Sequence, residues 1–240
     1  MKAIISIVLV GIIIACIWGG YKKGMIMGIG GILAIIVSLY AANLLANTYS
    51  GEIITALRPF AEGFTERCMN DDEDGIMAKM GWEDSSYSAD DLLVAYPERS
   101  LEYASGCFET LGIASDKAEE LGKDALLRQA QDGGTVTENV ITVLCETVSY
   151  VACFCLAFII ILIVITVIGN IPNFSYKIPH LDLLNDIAGA VLGLATGLLF
   201  CIIICWALKF LGLIVGQDTL SGGIIAFFGK IHILDSLMGI

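Results

Sequence analysis

The stretch "IWGGYKKGMIMGIGGI", residues 17–32, decides the fold because it places two lysines among glycines inside a long apolar run. Lys22 and Lys23 are separated from the flanking apolar residues by Gly20, Tyr21 and Gly24. Two interpretations are open. The segment is either a turn between two core helices of a soluble protein or a membrane hairpin whose basic tip stays at the cytoplasmic surface.

The composition favours the membrane interpretation. Of the 240 residues, 57% are hydrophobic and only 16% are charged, and the mean hydropathy is +0.81. Soluble domains carry about 25% charged residues. The charges are also unevenly placed, because residues 51–140 hold 20 acidic and 7 basic side chains, whereas the rest of the chain holds 5 and 6. An acidic segment therefore separates two nearly uncharged ones.

Four uncharged apolar stretches are long enough, or nearly so, to cross a bilayer. A hydrocarbon core about 30 Å thick requires roughly 20 residues of helix. The stretches cover residues 3–20, 25–46, 147–168 and 187–208. The sequence therefore predicts an all-α integral membrane protein in which four transmembrane helices form two hairpins, with a small helical extracytoplasmic insert between them.

The orientation follows from basic residues in short loops, which favour the cytoplasmic side. Lys22 and Lys23 lie in the first hairpin, and Lys177 lies between the third and fourth spans. These lysines predict that the termini and the acidic insert face outward. Lys2, Lys209 and Lys230 favour the opposite orientation.

The predicted organisation has four parts. They are a transmembrane hairpin (1–48), an acidic helical extracytoplasmic insert (49–140), a second transmembrane hairpin (141–216) and a C-terminal amphipathic segment (217–240).

Helix signals in the insert indicate a folded helical cap. Ser88, Ser115 and Thr135 are candidate N-caps, and the "DGG" at 132–134 is a stop signal. Pro59 predicts the end of the extended second helix. Because the N-cap at Thr135 precedes the third apolar stretch, the third membrane helix is expected to begin outside the bilayer.

The sequence offers no catalytic, metal or cofactor site. The two histidines, His180 and His232, have no nucleophile or metal ligand near them in sequence, and the "GIGGI" at 28–32 lacks the strand–turn–helix context of a nucleotide site. Among the eight cysteines, Cys68 and Cys107 in the insert are candidates for a disulfide. We therefore expect no enzyme, no cofactor and, at a net charge of −12, no nucleic-acid partner.

Two glycine stripes predict close helix packing. They consist of Gly24, Gly28 and Gly31 on the second helix, and Gly189, Gly193 and Gly197 on the fourth. In lipid, small residues let helix backbones approach, and packing contacts then hold the pair. The stripes leave open whether the neighbouring helix belongs to the same chain or to another copy.

Two motifs carry a family resemblance. "GYKKG" at 20–24, placed between an apolar span and a glycine-rich one, and "LDLLNDIAGAVLGLATGLL" at 181–199 resemble the colicin V production protein (CvpA) family of bacterial inner-membrane proteins. The resemblance covers roughly residues 1–48 and 141–240. The chain differs from the family's pattern at Asp186 and Thr196, where the family often has a base, and its acidic insert is far longer than the loop of shorter members.

The resemblance implies a multi-pass protein of the cell inner membrane with a role in toxin production or export and in envelope homeostasis. Two alternatives remain: a small oligomeric channel or transporter subunit, and a membrane anchor for a partner-binding acidic domain. The expected partners are the lipid bilayer, a second copy bound through the glycine faces, and a cationic protein or peptide at the acidic insert.

Overall fold

The computed structural model describes residues 2–69, 75–82, 87–170 and 182–210, together with residues 225, 227 and 228. In this part of the chain the secondary structure is helical throughout, with no strand. The helices are α1 (Lys2–Met69), α2 (Ile76–Lys79), α3 (Ala89–Ala95), α4 (Ser100–Thr110), α5 (Ser115–Asp132), α6 (Val136–Asn170) and α7 (Asp182–Lys209), with a 3-10 turn at Pro97–Arg99. The predicted all-α class is confirmed.

Three of the described helices contain stretches long and apolar enough to cross a membrane. These stretches are Ala3–Gly63, Val136–Gly169 and Leu183–Lys209. They support the predicted membrane protein. The arrangement of four spans in two hairpins stays a prediction, because α1 contains the first two predicted spans within one helix that is bent at Gly24.

The chain forms two compact units. The apolar unit contains the residues up to Thr48 and Ala152–Leu208, and the acidic unit contains Tyr49–Val151 and the residues that directly follow Leu208. Helices α1 and α6 each contribute residues to both units.

The prediction that the helix ends at Pro59 is wrong, since α1 continues through this proline to Met69. Proline has no N–H to donate, so the carbonyl of Thr55 loses its helical partner. Both Pro59 and Thr55 are exposed, so this carbonyl is not buried without a partner.

Two of the predicted N-caps are present. The Ser88 hydroxyl accepts a hydrogen bond from the Asp91 N–H at 3.2 Å, and the Asp91 side chain completes a capping box. The Thr135 hydroxyl accepts from the Glu138 N–H at 3.1 Å, where α6 begins. These bonds satisfy N–H groups that have no partner inside the helix.

The predicted cap at Ser115 is wrong. Ser115 is the first residue of α5, and Ala114 stands at the N-cap position without a side-chain bond. The Ala114 N–H donates instead to the Lys209 carbonyl at 3.1 Å. The other end of α5 follows the prediction, because Gly133 terminates it with a φ of 82° that a residue with a side chain rarely adopts.

The acidic unit has its own hydrophobic core, built by α4, α5 and the beginning of α6. Tyr103 and Phe108 are fully buried there, and the Tyr103 hydroxyl lies 3.0 Å from the Thr137 hydroxyl. Burial raises the pKa of Tyr103. At the edge of the core, Arg128 donates to both carboxylate oxygens of Glu146, at 2.6 and 2.8 Å. Such a bidentate pair fixes the relative orientation of the two side chains.

Candidate functional site

The bend in α1 at Gly24 organises the candidate site. Gly24 has a φ of 76° and a ψ of −179°, a conformation that interrupts the helix and that glycine adopts without a steric penalty. We call residues 2–23 the first arm and residues 25–48 the second arm. A helix that restarts at Met25 presents N–H groups with no carbonyl partner in the preceding turn.

Asn185 of α7 satisfies one of these groups. Its side-chain oxygen accepts a hydrogen bond from the Met25 N–H at 3.0 Å. Asn185 is only 6% exposed. A Cβ atom at Gly24 would overlap the Asn185 side-chain amide, so the glycine is required by both its φ and its surroundings. Asn185 thus caps the second arm from a helix that lies 160 residues away in sequence.

The first arm packs against the glycines of α7 without intervening side chains. A Cβ atom added to Gly189, Gly193 or Gly197 would lie closer to the backbone of the first arm than Cβ atoms normally lie to neighbouring atoms. A Cβ at Gly189 would overlap the Gly20 carbonyl oxygen of the first arm and would lie 2.9 Å from the Cα of Gly24 at the bend. A Cβ at Gly193 would lie 3.1 Å from the Ile17 Cα, and one at Gly197 would lie 3.0 Å from the Ile13 Cα. The first arm therefore runs antiparallel to α7, because its residue numbers fall as those of α7 rise.

The second arm contacts α7 in the opposite direction. A Cβ atom at Gly28 would lie 2.8 Å from the Leu192 Cβ, and one at Gly31 would lie 4.0 Å from the Thr196 hydroxyl. The residue numbers of the second arm and of α7 rise together from one contact to the next, so the two helices are parallel. Gly28 is tightly enclosed, whereas Gly31 has room for a side chain.

The three glycines of α7 belong to a longer stripe in which a buried residue recurs every four positions. This α7 stripe consists of Asn185, Gly189, Gly193, Gly197, Cys201 and Cys205. The Cys201 thiol donates a long hydrogen bond of 3.7 Å to the carbonyl of Leu9, which is fully buried on the first arm. The two cysteines therefore serve as small apolar packing residues. Close backbone approach thus continues along much of α7.

A cavity of about 240 Å³ lies beside the packed glycines. It is lined by Ala15, Cys16, Gly19, Gly20, Lys23, Met27, Gly28, Gly31, Gly193 and Thr196. A Cβ atom at Gly19 would meet nothing within 4 Å, so part of this space exists because a side chain is missing. Lys23 supplies its positive charge, and the Thr196 hydroxyl is already bonded to the Leu192 carbonyl at 2.9 Å.

The two lysines predicted at the hairpin tip are exposed and lie next to the bend at Gly24. The Lys22 ammonium group lies 5.1 Å above the centre of the Trp18 ring, a cation–π contact. Trp18 is itself 62% exposed. Tryptophan and lysine side chains of this kind are common at the interface between membrane and water.

Several predicted residues lie outside the described part of the chain. These are the side chain of Cys68, the loop residue Lys177, and His180 and His232. Cys107 is buried in α4, and its pairing with Cys68 stays a prediction. Among the described residues, no group of three or more histidines, cysteines and carboxylates is arranged to hold a metal ion.

Asn185 is the functional residue that the sequence reasoning missed. The one feature of the sequence that could have indicated its role is its position four residues before Gly189. This position extends the four-residue spacing of the glycines to the polar end of α7. An asparagine at the end of an apolar stretch is typical of a loop, so its hydrogen bond with the distant Met25 N–H could not be inferred from the sequence.

Comparison with known proteins supports one family. The family model described as "Colicin V production protein" matches residues 125–228, a range that contains α6, α7 and the whole α7 stripe. No curated protein and no solved structure matches the chain. The matched range includes the motif at 181–199 but not the "GYKKG" at 20–24. The family model therefore confirms the resemblance to the colicin V production protein family over residues 125–228.

Proposed function

We propose that this chain is a four-span membrane protein that supports the production or export of a peptide toxin and carries out no catalytic chemistry of its own. The observation that carries the proposal is the contact of α7, part of the colicin V production domain, with both arms of α1. The family description supplies the link to toxin production, and the packing supplies the physical role of the glycines.

The packing supports four spans. The first arm contains 22 residues and the second 24. At 1.5 Å per residue, each is about 33 Å or longer, enough for a hydrocarbon core of about 30 Å. The two arms run in opposite directions along α7, as two spans joined by a tight turn would. Lys22 and Lys23 then mark the cytoplasmic tip, and the acidic unit and the termini face outward.

The proposed role is that of a scaffold. Lipid tails are as apolar as leucine side chains, so the helices are held by close packing and hydrogen bonds rather than by the hydrophobic effect. The α7 stripe supplies that packing, and Asn185 supplies a hydrogen bond at the point where α1 reverses. The acidic unit, which has its own core, is then available for a cationic partner such as an exported peptide.

The test is the deletion of this gene from a toxin-producing host. We expect less toxin in the medium and more retained in the cells, as measured by growth inhibition of a sensitive strain. The wild-type gene and a Gly30→Leu variant should restore secretion, because Gly30 has nothing within 4 Å of an added Cβ. A Gly193→Leu variant should not. Unchanged secretion after the deletion would contradict the proposal.

A second candidate function is a small channel, which the cavity beside the glycines favours. Lys23 at this cavity would favour anions. Purified protein in liposomes should then release an anionic dye faster than protein-free liposomes, and Lys23→Gln should slow the release. Equal release from both kinds of liposome would reject the channel.

A further inference from the structure

The acidic unit contains a second cavity, with a volume of about 410 Å³. Six of its lining residues come from two long helices, with Leu57, Phe60 and Ala61 on α1 and Leu144, Cys145 and Val148 on α6. The remaining lining residues come from the turn between α4 and α5 and from the residue that follows α7.

The lining of this cavity is apolar. It contains aliphatic and aromatic side chains and one thiol, with no charged or amide side chain. Water is held in a cavity only where it finds several polar partners. The volume falls within the range of about 300 to 1,000 Å³ that is usual for ligand pockets. The cavity is therefore suited to an apolar ligand.

The entrance also exposes apolar surface. The Phe60 side chain is 76% exposed and Val148 is 38% exposed. An apolar cavity with apolar residues at its mouth offers a path for a hydrocarbon chain that has one end outside.

The helices that line the cavity indicate where such a chain would come from. The lining residues of α1 lie within Ala3–Gly63 and those of α6 within Val136–Gly169, two of the three stretches long and apolar enough to contain a membrane span. Val148 falls within the apolar stretch 147–168, so the cavity adjoins the end of that span. Arg58, next to Leu57, is about half exposed and pairs with Glu62 at 3.1 Å and with Glu138 at 3.8 Å, so the positive charge beside the cavity is already balanced. The apolar lining, rather than a charge, therefore selects the occupant, and it suits the acyl chain of a phospholipid.

We propose that this cavity binds one acyl chain of a membrane phospholipid. The proposal rests on the membrane placement given under Proposed function, but it is independent of the role in toxin export. The occupant is a lipid of the surrounding bilayer, which is present at high local concentration, so no soluble carrier is required.

The test uses the full-length protein in vesicles of phosphatidylcholine that carries a photoactivatable diazirine near the end of one chain. After irradiation and digestion, mass spectrometry locates the labelled residues. We expect labels on residues 57–61 and 144–148. Ala61→Phe and Val148→Phe, which place a larger side chain in the cavity, should reduce the labelling of the 144–148 segment at least tenfold.

The matched control is Ala152→Phe, an equal enlargement at an exposed position of α6. It should leave the labelling unchanged. Thermal unfolding of each variant identifies any variant that does not fold, and with two cavity variants the test does not depend on a single substitution.

Three outcomes would overturn the proposal. Labels confined to other apolar surfaces, on protein that resists carbonate extraction from the vesicles, would reject the lipid site and leave the membrane placement intact. In a companion experiment with a photoactivatable amino acid at position 148, crosslinks to residues 211–240 or to a second copy would show that protein fills the cavity. Extraction by carbonate would instead reject the membrane placement.

Discussion

Replacement of Gly193 by leucine tests the packing of α7 most severely. A Cβ atom at Gly193 would lie 3.0 Å from the Cys16 carbonyl carbon and 3.1 Å from the Ile17 Cα, with the Cys16 carbonyl oxygen closer still. Favourable contacts between carbon atoms lie at about 3.5 to 4.0 Å. The first arm must therefore move by more than half an ångström even for alanine, and by several ångströms for leucine.

The magnitude follows from the rigidity of the two helices. Because neither helix can bend around a single residue, separation at Gly193 also opens the contacts of Gly189 and Gly197. Overpacking in a well-packed interior costs about 1 to 3 kcal/mol. We expect Gly193→Ala to fall in this range and Gly193→Leu to cost about 3 kcal/mol or more, since it also removes interhelical contacts worth roughly 1 kcal/mol each.

The assay measures the distance between α7 and the second arm, which is joined to the displaced first arm through the bend at Gly24. A Gly31→Cys, Thr196→Cys pair should form a disulfide on mild oxidation, because a Cβ at Gly31 lies 4.0 Å from the Thr196 hydroxyl oxygen. The Gly193→Leu change should lower the crosslinking yield and the temperature of aggregation in detergent. Gly30→Leu is the control, because a side chain there meets nothing within 4 Å. If Gly193→Leu and Gly30→Leu give equal yields and equal aggregation temperatures, the packing argument is wrong.

Three further predictions concern the bend, the orientation and the acidic unit. Asn185→Ala leaves the Met25 N–H without its partner and should lower the temperature of aggregation, corresponding to about 1 to 3 kcal/mol, whereas Asn185→Asp, which keeps an acceptor, should lose less. Changing Lys22 and Lys23 to Gln should produce mixed orientations, detected by protease protection in inverted vesicles, because few other basic residues fix the topology. The hydrogen bond from Arg99 lowers the pKa of Glu102. The stability that this pair provides is therefore fully present above the ordinary pKa of a glutamate, and it is lost as the pH falls through the lowered pKa of Glu102. Glu102→Gln should therefore lower the unfolding temperature only slightly at pH 7, because the pair is exposed to solvent. At strongly acidic pH the variant and the wild type should unfold at the same temperature.

The sequence predicted the features that depend on local pattern. Apolar length alone indicated membrane-capable helices, and the spacing of the glycines on α7 predicted a packing face. The N-caps at Ser88 and Thr135 were recognisable because a hydroxyl followed by an acidic residue three positions later is a local signal.

The features that the sequence missed depend on distant partners. Whether Pro59 ends a helix depends on what the following turn packs against, and α1 continues because its next turn contributes Ala61 to the core of the acidic unit. Ser115 does not cap α5 because the preceding residue is held by the Lys209 carbonyl. Asn185 caps a helix 160 residues away, and no local pattern contains that pairing.

The central claim is that α1 reverses at Gly24 and crosses the membrane twice. Single cysteines at positions 3, 23 and 87, in a chain whose native cysteines are replaced by alanine, can be labelled in intact cells with a thiol reagent that does not cross membranes. If α1 reverses at Gly24 with its tip in the cytoplasm, positions 3 and 87 react from outside the cell, whereas position 23 reacts only after the membrane is opened. A result in which positions 3 and 87 react from opposite sides would mean that α1 crosses the membrane once, and it would contradict the account.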